Sequence, residues 1–418
     1  MAEVLPRDVL ARFGARTLLR YGTPTQRKLQ ADKGGEAFKE TFTRPDAQAC
    51  ATYFDRAGTM RIAAAGKLRC QWRDTDGDGV GDVPSFLIEN PGATNLIENS
   101  NYEIDAVGSV VKNGSTLLRD NAQAILGSWS LKMTVANAAT SGVSFTKRDG
   151  TRMAGVATTA YTGSAWVFAT GAAIGGNLRL YVDWFDAGSV YLSTSACGAA
   201  QTLVQGWQRI GGFGAIAPAN SVTAIPYLVT NTATGVWSVW VDLPQWEVGE
   251  VASSAIPTGA GALSRASDIV TLPLRWGPQD MTARFTLLRP LWADAVGDIG
   301  GTQILARIGG NVVPTLDLGG RTGVRQFYGR IQPNGSLTSV NIPAGSLLDF
   351  IVQFRSLQTA GGAGIDVGTG LQAFSGPEPG FPMFGLQTIE LVAFGAAEVV
   401  DFQLVRGLRT LAEMQAMP

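Results

Sequence analysis

Apolar residues in this chain recur at every second position, in short runs divided by Gly, Asn, Ser and Thr clusters. That period belongs to a pleated strand with one face buried and not to a helix. The clearest run sets Leu178, Leu180, Val182 and Trp184 against Arg179, Tyr181, Asp183 and Phe185. Trp237, Val239 and Val241 alternate with Ser238, Trp240 and Asp242, so that strand carries bulk on both faces. Later runs behave alike: Met281, Ala283, Phe285 and Leu287; Leu348, Phe350, Val352 and Phe354; Val400, Phe402 and Leu404. Only 16% of the residues are charged, and 52 glycines and 19 prolines punctuate 418 positions, which excludes coiled coils and long helical bundles. The expected fold class is all-β, with antiparallel sandwiches, and the length calls for more than one core.

Changes of texture divide the chain into residues 1–94, 95–257 and 258–418. The first segment opens with a short amphipathic helix carrying an arginine face, Arg7, Arg12 and Arg16. A hairpin follows, Ala49 to Phe54 and Thr59 to Ala63 around the loop Asp55-Arg56-Ala57-Gly58. Lys67 to Arg73 predicts a further strand, and Val251 to Ser267 has the Ala, Ser and Gly texture of a connector. Thr410 and Glu413 have capping-box spacing for a short terminal helix. No apolar stretch is long enough to cross a bilayer and no signal peptide opens the chain, so synthesis and retention in the cytosol are expected, with no membrane insertion.

Thirty-three basic against 34 acidic residues leave a formal charge of −1, so no global field draws nucleic acid or an anionic membrane. There is no histidine, which removes the commonest general base and zinc ligand and every Ser-His-Asp or Cys-His design. Cys50, Cys70 and Cys197 are too few and too scattered for a disulfide framework or a zinc site, and read as buried small apolar residues. Gly175-Gly176, Gly300-Gly301 and Gly361-Gly362 lack the strand-to-helix frame of a phosphate loop. No enzyme signature remains, and a non-enzymatic protein is expected.

Two local features carry chemistry. In Asp74-Thr75-Asp76-Gly77-Asp78-Gly79-Val80-Gly81-Asp82, the carboxylates of Asp74, Asp76, Asp78 and Asp82 and the Val80 carbonyl are spaced to surround a hard cation, calcium by default and structural in role. Ser85 stands where an EF-hand has its bidentate Glu, and the same residues also read as an acidic hairpin turn. The second is the outward row Tyr181, Asp183 and Phe185, where ring faces and a carboxylate are what saccharide capture requires.

Three stretches carry a resemblance. Ala51-Thr52-Tyr53-Phe54-Asp55 with Gly58-Thr59, then Leu87-Ile88-Glu89-Asn90 and Ala93-Thr94-Asn95-Leu96, resembles a signature of tail-fibre, baseplate or head-fibre proteins of tailed bacteriophages, with Ala93 at a position that usually holds Arg. Asn101-Tyr102-Glu103, Gly127-Ser128-Trp129-Ser130-Leu131-Lys132-Met133-Thr134, Gly206-Trp207 and the run Asp242 to Gly249 are similar to the jelly rolls of family four and nine carbohydrate-binding modules. Ile256-Pro257-Thr258 and Arg265-Ala266-Ser267-Asp268 resemble the linker ending such modules, and Arg406-Gly407 with Leu411 to Met414 resembles the close of a concanavalin-A or laminin-G-like sandwich. The resemblance implies a structural protein of a phage virion or gene transfer agent, built as a jelly roll plus a concanavalin-A-like sandwich. It would attach to other virion proteins through residues 1–94, be exposed on the particle as a homo-oligomer, and bind host surface glycan. The alternative it leaves open is a decoration or cement protein making protein contacts alone.

Overall fold

The computed structural model describes residues 17–21, 41–45, 50–67, 69–74, 80–90, 92–232, 235–276, 281–288, 302–308, 315–321, 326–332, 338–341, 347–355, 362–366, 372–373, 385–406 and 415. Its regular structure is almost wholly β, paired antiparallel throughout. The amphipathic segment expected at Arg7 to Arg16 and the terminal helix expected at Thr410 to Met414 lie outside the described residues.

Residues 95–257 form two facing sheets. One has five strands in the order Gly206–Ile216, Ala160–Ala169, Trp237–Val248, Ser130–Val135 and Thr116–Asp120. The other has seven: Tyr191–Ala196, Asn177–Phe185, Thr223–Thr230, Gly142–Phe145 and Ser109–Lys112 in order, with Met153–Ala154 and Gln201–Thr202 on its flanks. The alternation sorts side chains as expected. Leu178, Leu180, Val182 and Trp184 are buried while Asn177, Arg179, Tyr181, Asp183 and Phe185 are half-buried on the other side. Trp237, Val239 and Val241 face the same core from the five-stranded sheet.

At the centre Tyr161 stacks on Trp246 at 5.3 Å, with Trp184 tilted against both. Both indoles keep their polar edge bonded, Trp184 Nε1 donating to Ser195 Oγ and Trp246 Nε1 to the Ala154 carbonyl. The strands Ala160–Ala169 and Gly206–Ile216 slip register beside Gly163. There Gly211 has φ +83°, and a Cβ on it would lie 2.5 Å from the Gly163 carbonyl, so only glycine fits.

Sequence on either side of this sandwich meets in a third sheet. Arg69–Arg73 and Val83–Asn90 pair with each other, and the latter pairs with Gly385–Arg406. Thr17–Tyr21 joins the same long strand, and Thr41–Thr43 joins Ile269–Trp276. Ala93–Asn95 pairs with Leu263–Arg265, closing the two ends of the sandwich module against each other. Strands from both sides of the sandwich in sequence therefore share one sheet, Thr17–Tyr21, Thr41–Thr43, Arg69–Arg73 and Val83–Asn90 with Ile269–Trp276 and Gly385–Arg406 among them. In that sheet Phe285 and Leu287 pair with Phe350 and Leu348 and are buried with them. The hairpin expected near residue 55 forms from Thr52–Phe54 and Met60–Ile62. Asp55 caps its turn by accepting from the Ala57 and Thr59 amides. Cys50 and Cys197 are buried as expected, whereas Cys70 is only half-buried; all three are free thiols.

The connector is not a loose tether. Ala252, Ala255, Ile256 and Thr258 are buried, and Arg265 and Asp268 complete a buried ion cluster with Arg44, Arg69 and Glu89. Arg69 reaches Glu89 at 2.6 Å and also bonds Asp268. Burial opposes the Glu89 charge, but Arg265 and Arg69 outweigh it and hold the carboxyl well below the usual carboxylate range. Removing one partner leaves an uncompensated buried charge, so Glu89→Gln should cost about 3–5 kcal/mol in urea unfolding. A depressed native pKa contributes stability above the unfolded value and loses it as pH falls. The native protein should therefore lose stability below about pH 4.5, the ordinary value for this carboxyl, more steeply than Glu89→Gln; parallel acid curves would refute that.

Candidate functional site

The outward row of Asn177–Phe185 lies between Thr223–Thr230 and Tyr191–Ala196, which place Tyr227 beside Tyr181 and Thr194 beside Asp183. Tyr181 and Tyr227 stack at 5.6 Å. The Tyr181 hydroxyl donates to Asn231 Oδ1 and accepts from Arg179 Nη1. Asp183 accepts from Thr194 Oγ1 and lies 3.6 Å from Lys112 Nζ, while the Thr194 hydroxyl also meets Tyr191 Oη at 2.9 Å. Tyr191 is 54% exposed and meets Phe185 edge-on at 6.1 Å. Tyr181, Asp183 and Phe185 thus belong to one connected polar and aromatic face. Burial raises the Tyr227 phenol above its ordinary pKa, and the neighbouring Asp183 charge adds to the rise.

The sequence did not foretell what covers the rings. Lys112 Nζ sits 3.6 Å over Tyr227, Arg152 Cζ 3.7 Å over Phe185, and Arg179 Cζ 4.9 Å from the Tyr181 ring centre. These are cation–π distances. Lys112 and Arg152 lie far from their rings in sequence, and strand register alone brings Lys112 opposite Gly142, one strand from Thr223–Thr230.

The five-stranded sheet carries a second row. Trp207 opposes Phe168, Phe168 opposes Trp240, Trp240 opposes Lys132 and Lys132 opposes Leu118, a line across all five strands. Its rings meet at tilted or edge-on angles, 59° and 73°, and therefore present no flat platform. One side of the row is covered by the chain itself: Phe54 packs edge-on against Trp166, and Met60, Ile125, Leu243 and Ala255 close around Trp166 and Trp207. The outward placement of Trp240 in its alternation was the signal for this row.

Two buried carboxylates also lie on that sheet. Burial raises the pKa of both Asp242 and Glu247. Asp242 accepts from the Ile125, Leu126 and Leu243 amides, and Glu247 from Ser253 and Gln245. With both fully enclosed and bonded within the chain, they are framework groups and not a pair open to a substrate.

In the acidic loop, Asp76 and Asp78 lie outside the described residues. The loop joins the hairpin strands Arg69–Arg73 and Val83–Asn90, with the Asp82 amide donating to the Arg73 carbonyl and that of Gly81 to Arg56. Ser85 is buried within its strand, turned from the loop to the Gln71 carbonyl. Among the described residues no group of three acidic or cysteine side chains is placed to hold a metal ion. No described helix is long and apolar enough to cross a membrane.

No family model matches the chain, and no curated protein sequence matches it. Among solved structures it is similar to a xylan-binding domain from CBM 22, at 18% identity over 39% of this chain and 98% of that one, with a TM-score of 0.30. The N-terminal CBM22-1-CBM22-2 tandem domain of Paenibacillus barcinonensis Xyn10C is similar at 13% identity over 76% of this chain and all of that one, with a TM-score of 0.32. The fold described above rests on the strand pairing and not on these likenesses.

The geometry of the Tyr181 face has a direct check. Lys112 and Asp183 are both partly solvent-screened, so a double-mutant cycle of Lys112→Ala and Asp183→Ala in urea unfolding should give a coupling of about 0.5–1 kcal/mol. Strict additivity would show that the two side chains do not meet.

Proposed function

We propose that the 95–257 sandwich binds saccharide chains on the outer face of its seven-stranded sheet. The observation that carries this reading is the connected set Tyr191, Thr194, Asp183, Lys112, Tyr227, Tyr181 and Arg179, in which hydroxyls, a carboxylate and cations are held in place between aromatic rings. Preorganised polar groups beside apolar ring surface suit a ligand that is itself apolar on its faces and hydroxylated at its edges. Within this proposal the chain is a non-enzymatic structural protein of a phage-like particle, displayed as a homo-oligomer and docked to other virion proteins through residues 1–94. Its sites would be weak singly and strong in number. The fibre-type resemblance of Ala51 to Asp55 and Leu87 to Asn90 supports that setting.

One observation favours a second reading, a decoration or cement protein. The chain's own 52–62 hairpin already clamps the Trp166 end of the five-stranded sheet, and the row continues past that cover to Trp240 and to Leu118, which is 61% exposed. Protein docking uses the same chemistry.

Binding of the full chain to capsular polysaccharide and lipopolysaccharide separates the two. Saturable binding is expected, weakened about tenfold or more in a Tyr181→Ala, Phe185→Ala double variant, since each ring contact contributes about 0.5–1.5 kcal/mol. A folded sample that binds none of these glycans leaves the second reading. We also propose calcium as a structural ion in the Asp74 to Asp82 turn. Added calcium should raise the melting temperature and a chelator reverse it, and an unmoved transition would identify a plain acidic turn.

A further inference from the structure

The rings of the Tyr181 face do not stand bare. Arg152 lies over Phe185, Lys112 over Tyr227 and Arg179 beside Tyr181, and each of the three side chains is half-buried. In the outward rows of these strands Asp183 is the sole carboxylate among the described residues, and it already meets Lys112. Arg152 and Arg179 have no carboxylate within ion-pair distance among the described residues. Arg179 spends Nε on the Gly198 carbonyl and Nη1 on the Tyr181 hydroxyl, and Arg152 makes no described hydrogen bond at all. A guanidinium held over a ring with donors still unspent can offer them to carboxylate or sulfate oxygens.

The guanidinium heads lie against Tyr181 and Phe185, four residues and ~13 Å apart along the strand, with the Lys112 ammonium at Tyr227 and Asp183. That spacing is longer than one sugar and fits a polymer charged on its repeating units. The neutral balance of the whole chain argues against general attraction to polyanions, and the adjoining Tyr191 and Thr194 hydroxyls suit a hydroxylated partner. Resting on the saccharide reading above, we infer that this face selects an acidic polysaccharide, with Arg152, Arg179 and Lys112 taking its anionic groups and Asp183 restraining Lys112.

Isothermal titration of the full chain with dextran, dextran sulfate, polygalacturonate and poly-L-glutamate tests this. One or both acidic polysaccharides should bind at least tenfold more tightly than dextran. Dextran sulfate alone would identify sulfate as the group read, and polygalacturonate alone carboxylate. Raising sodium chloride from about 0.05 to 0.5 M should remove most of the preference, a check that needs no variant. Arg152→Gln and Arg179→Gln should each weaken acidic binding about tenfold, as expected for losing one charge-assisted contact, and Asp183→Asn should tighten it by freeing Lys112. Dextran binding as tightly as its sulfate overturns the inference and leaves the saccharide reading standing. Poly-L-glutamate binding as tightly as the acidic sugars overturns it in favour of a general polyanion surface. Binding to none of the three polysaccharides overturns the inference, and the saccharide reading itself falls only if capsular polysaccharide and lipopolysaccharide also fail to bind.

Discussion

Five buried charges hold this molecule's parts in register. Arg44, Arg69 and Arg265 meet Glu89 and Asp268 where the strand Val83–Asn90, the Arg69–Arg73 strand and the end of the connector come together. The cationic excess is absorbed by carbonyls: Arg44 donates to those of Ala64 and Lys67, and Arg69 to that of Thr52. Ser254 donates to Glu89 from both its amide and its hydroxyl. Such a cluster adds little over a well-packed apolar plug, but it tolerates neither slippage nor loss of one member, because a lone buried ion is costly. It therefore constrains geometry more than it supplies stability. All five charges come from the segments that flank the sandwich, and the sandwich's own end is tied to them where Ser254 donates to Glu89.

That anchoring makes the two outer faces of the sandwich unequal. The five-stranded sheet turns Gln245 and Glu247 toward the cluster, where both are buried and bonded to Ser253, and lends Trp166 and Trp207 to the hairpin at residues 52–62. Much of its outer surface is thus spent on holding the chain together. The seven-stranded sheet keeps Arg179, Tyr181, Asp183 and Phe185 half-buried and Tyr191 exposed, with no other described segment packed over them in a core cluster, the arrangement of a surface that remains available.

Strand rows were legible because period two is a local property. Leu178 to Phe185 could be sorted into two faces from eight letters, and the turn at Asp55 to Gly58 from four. What could not be read was anything set by pairing across long separations. The union of Thr17–Tyr21 and Val83–Asn90 with Gly385–Arg406 in one sheet leaves no local trace, and neither does the meeting of Lys112 with Tyr227 or Arg152 with Phe185. Composition marked Val251 to Ser267 as a connector but not its packing: small side chains let backbone pack closely there, and Ser253 and Ser254 serve as donors to buried carboxylates. The three cysteines show the same limit: their type predicts burial, but Cys70 stands half-exposed on its strand.

The outward aromatics were identified by residue type alone, which suggests stacking against sugar faces. With a cation already over each ring, Phe185 and Tyr227 have a different part in the proposed site: they fix where cationic heads sit and so lower the rotamer freedom that binding would have to quench. A stacked ring contributes about 0.5–1.5 kcal/mol, whereas a hydrogen bond to a charged group contributes about 1.5–3 kcal/mol. On those magnitudes, under the acidic-polysaccharide proposal, a face of three ring-mounted cations would discriminate by charge first and by ring contact second. Selectivity then depends on the register that carries Lys112 and Arg152 to their rings, and so on the framework behind the sheet as much as on the aromatic row itself.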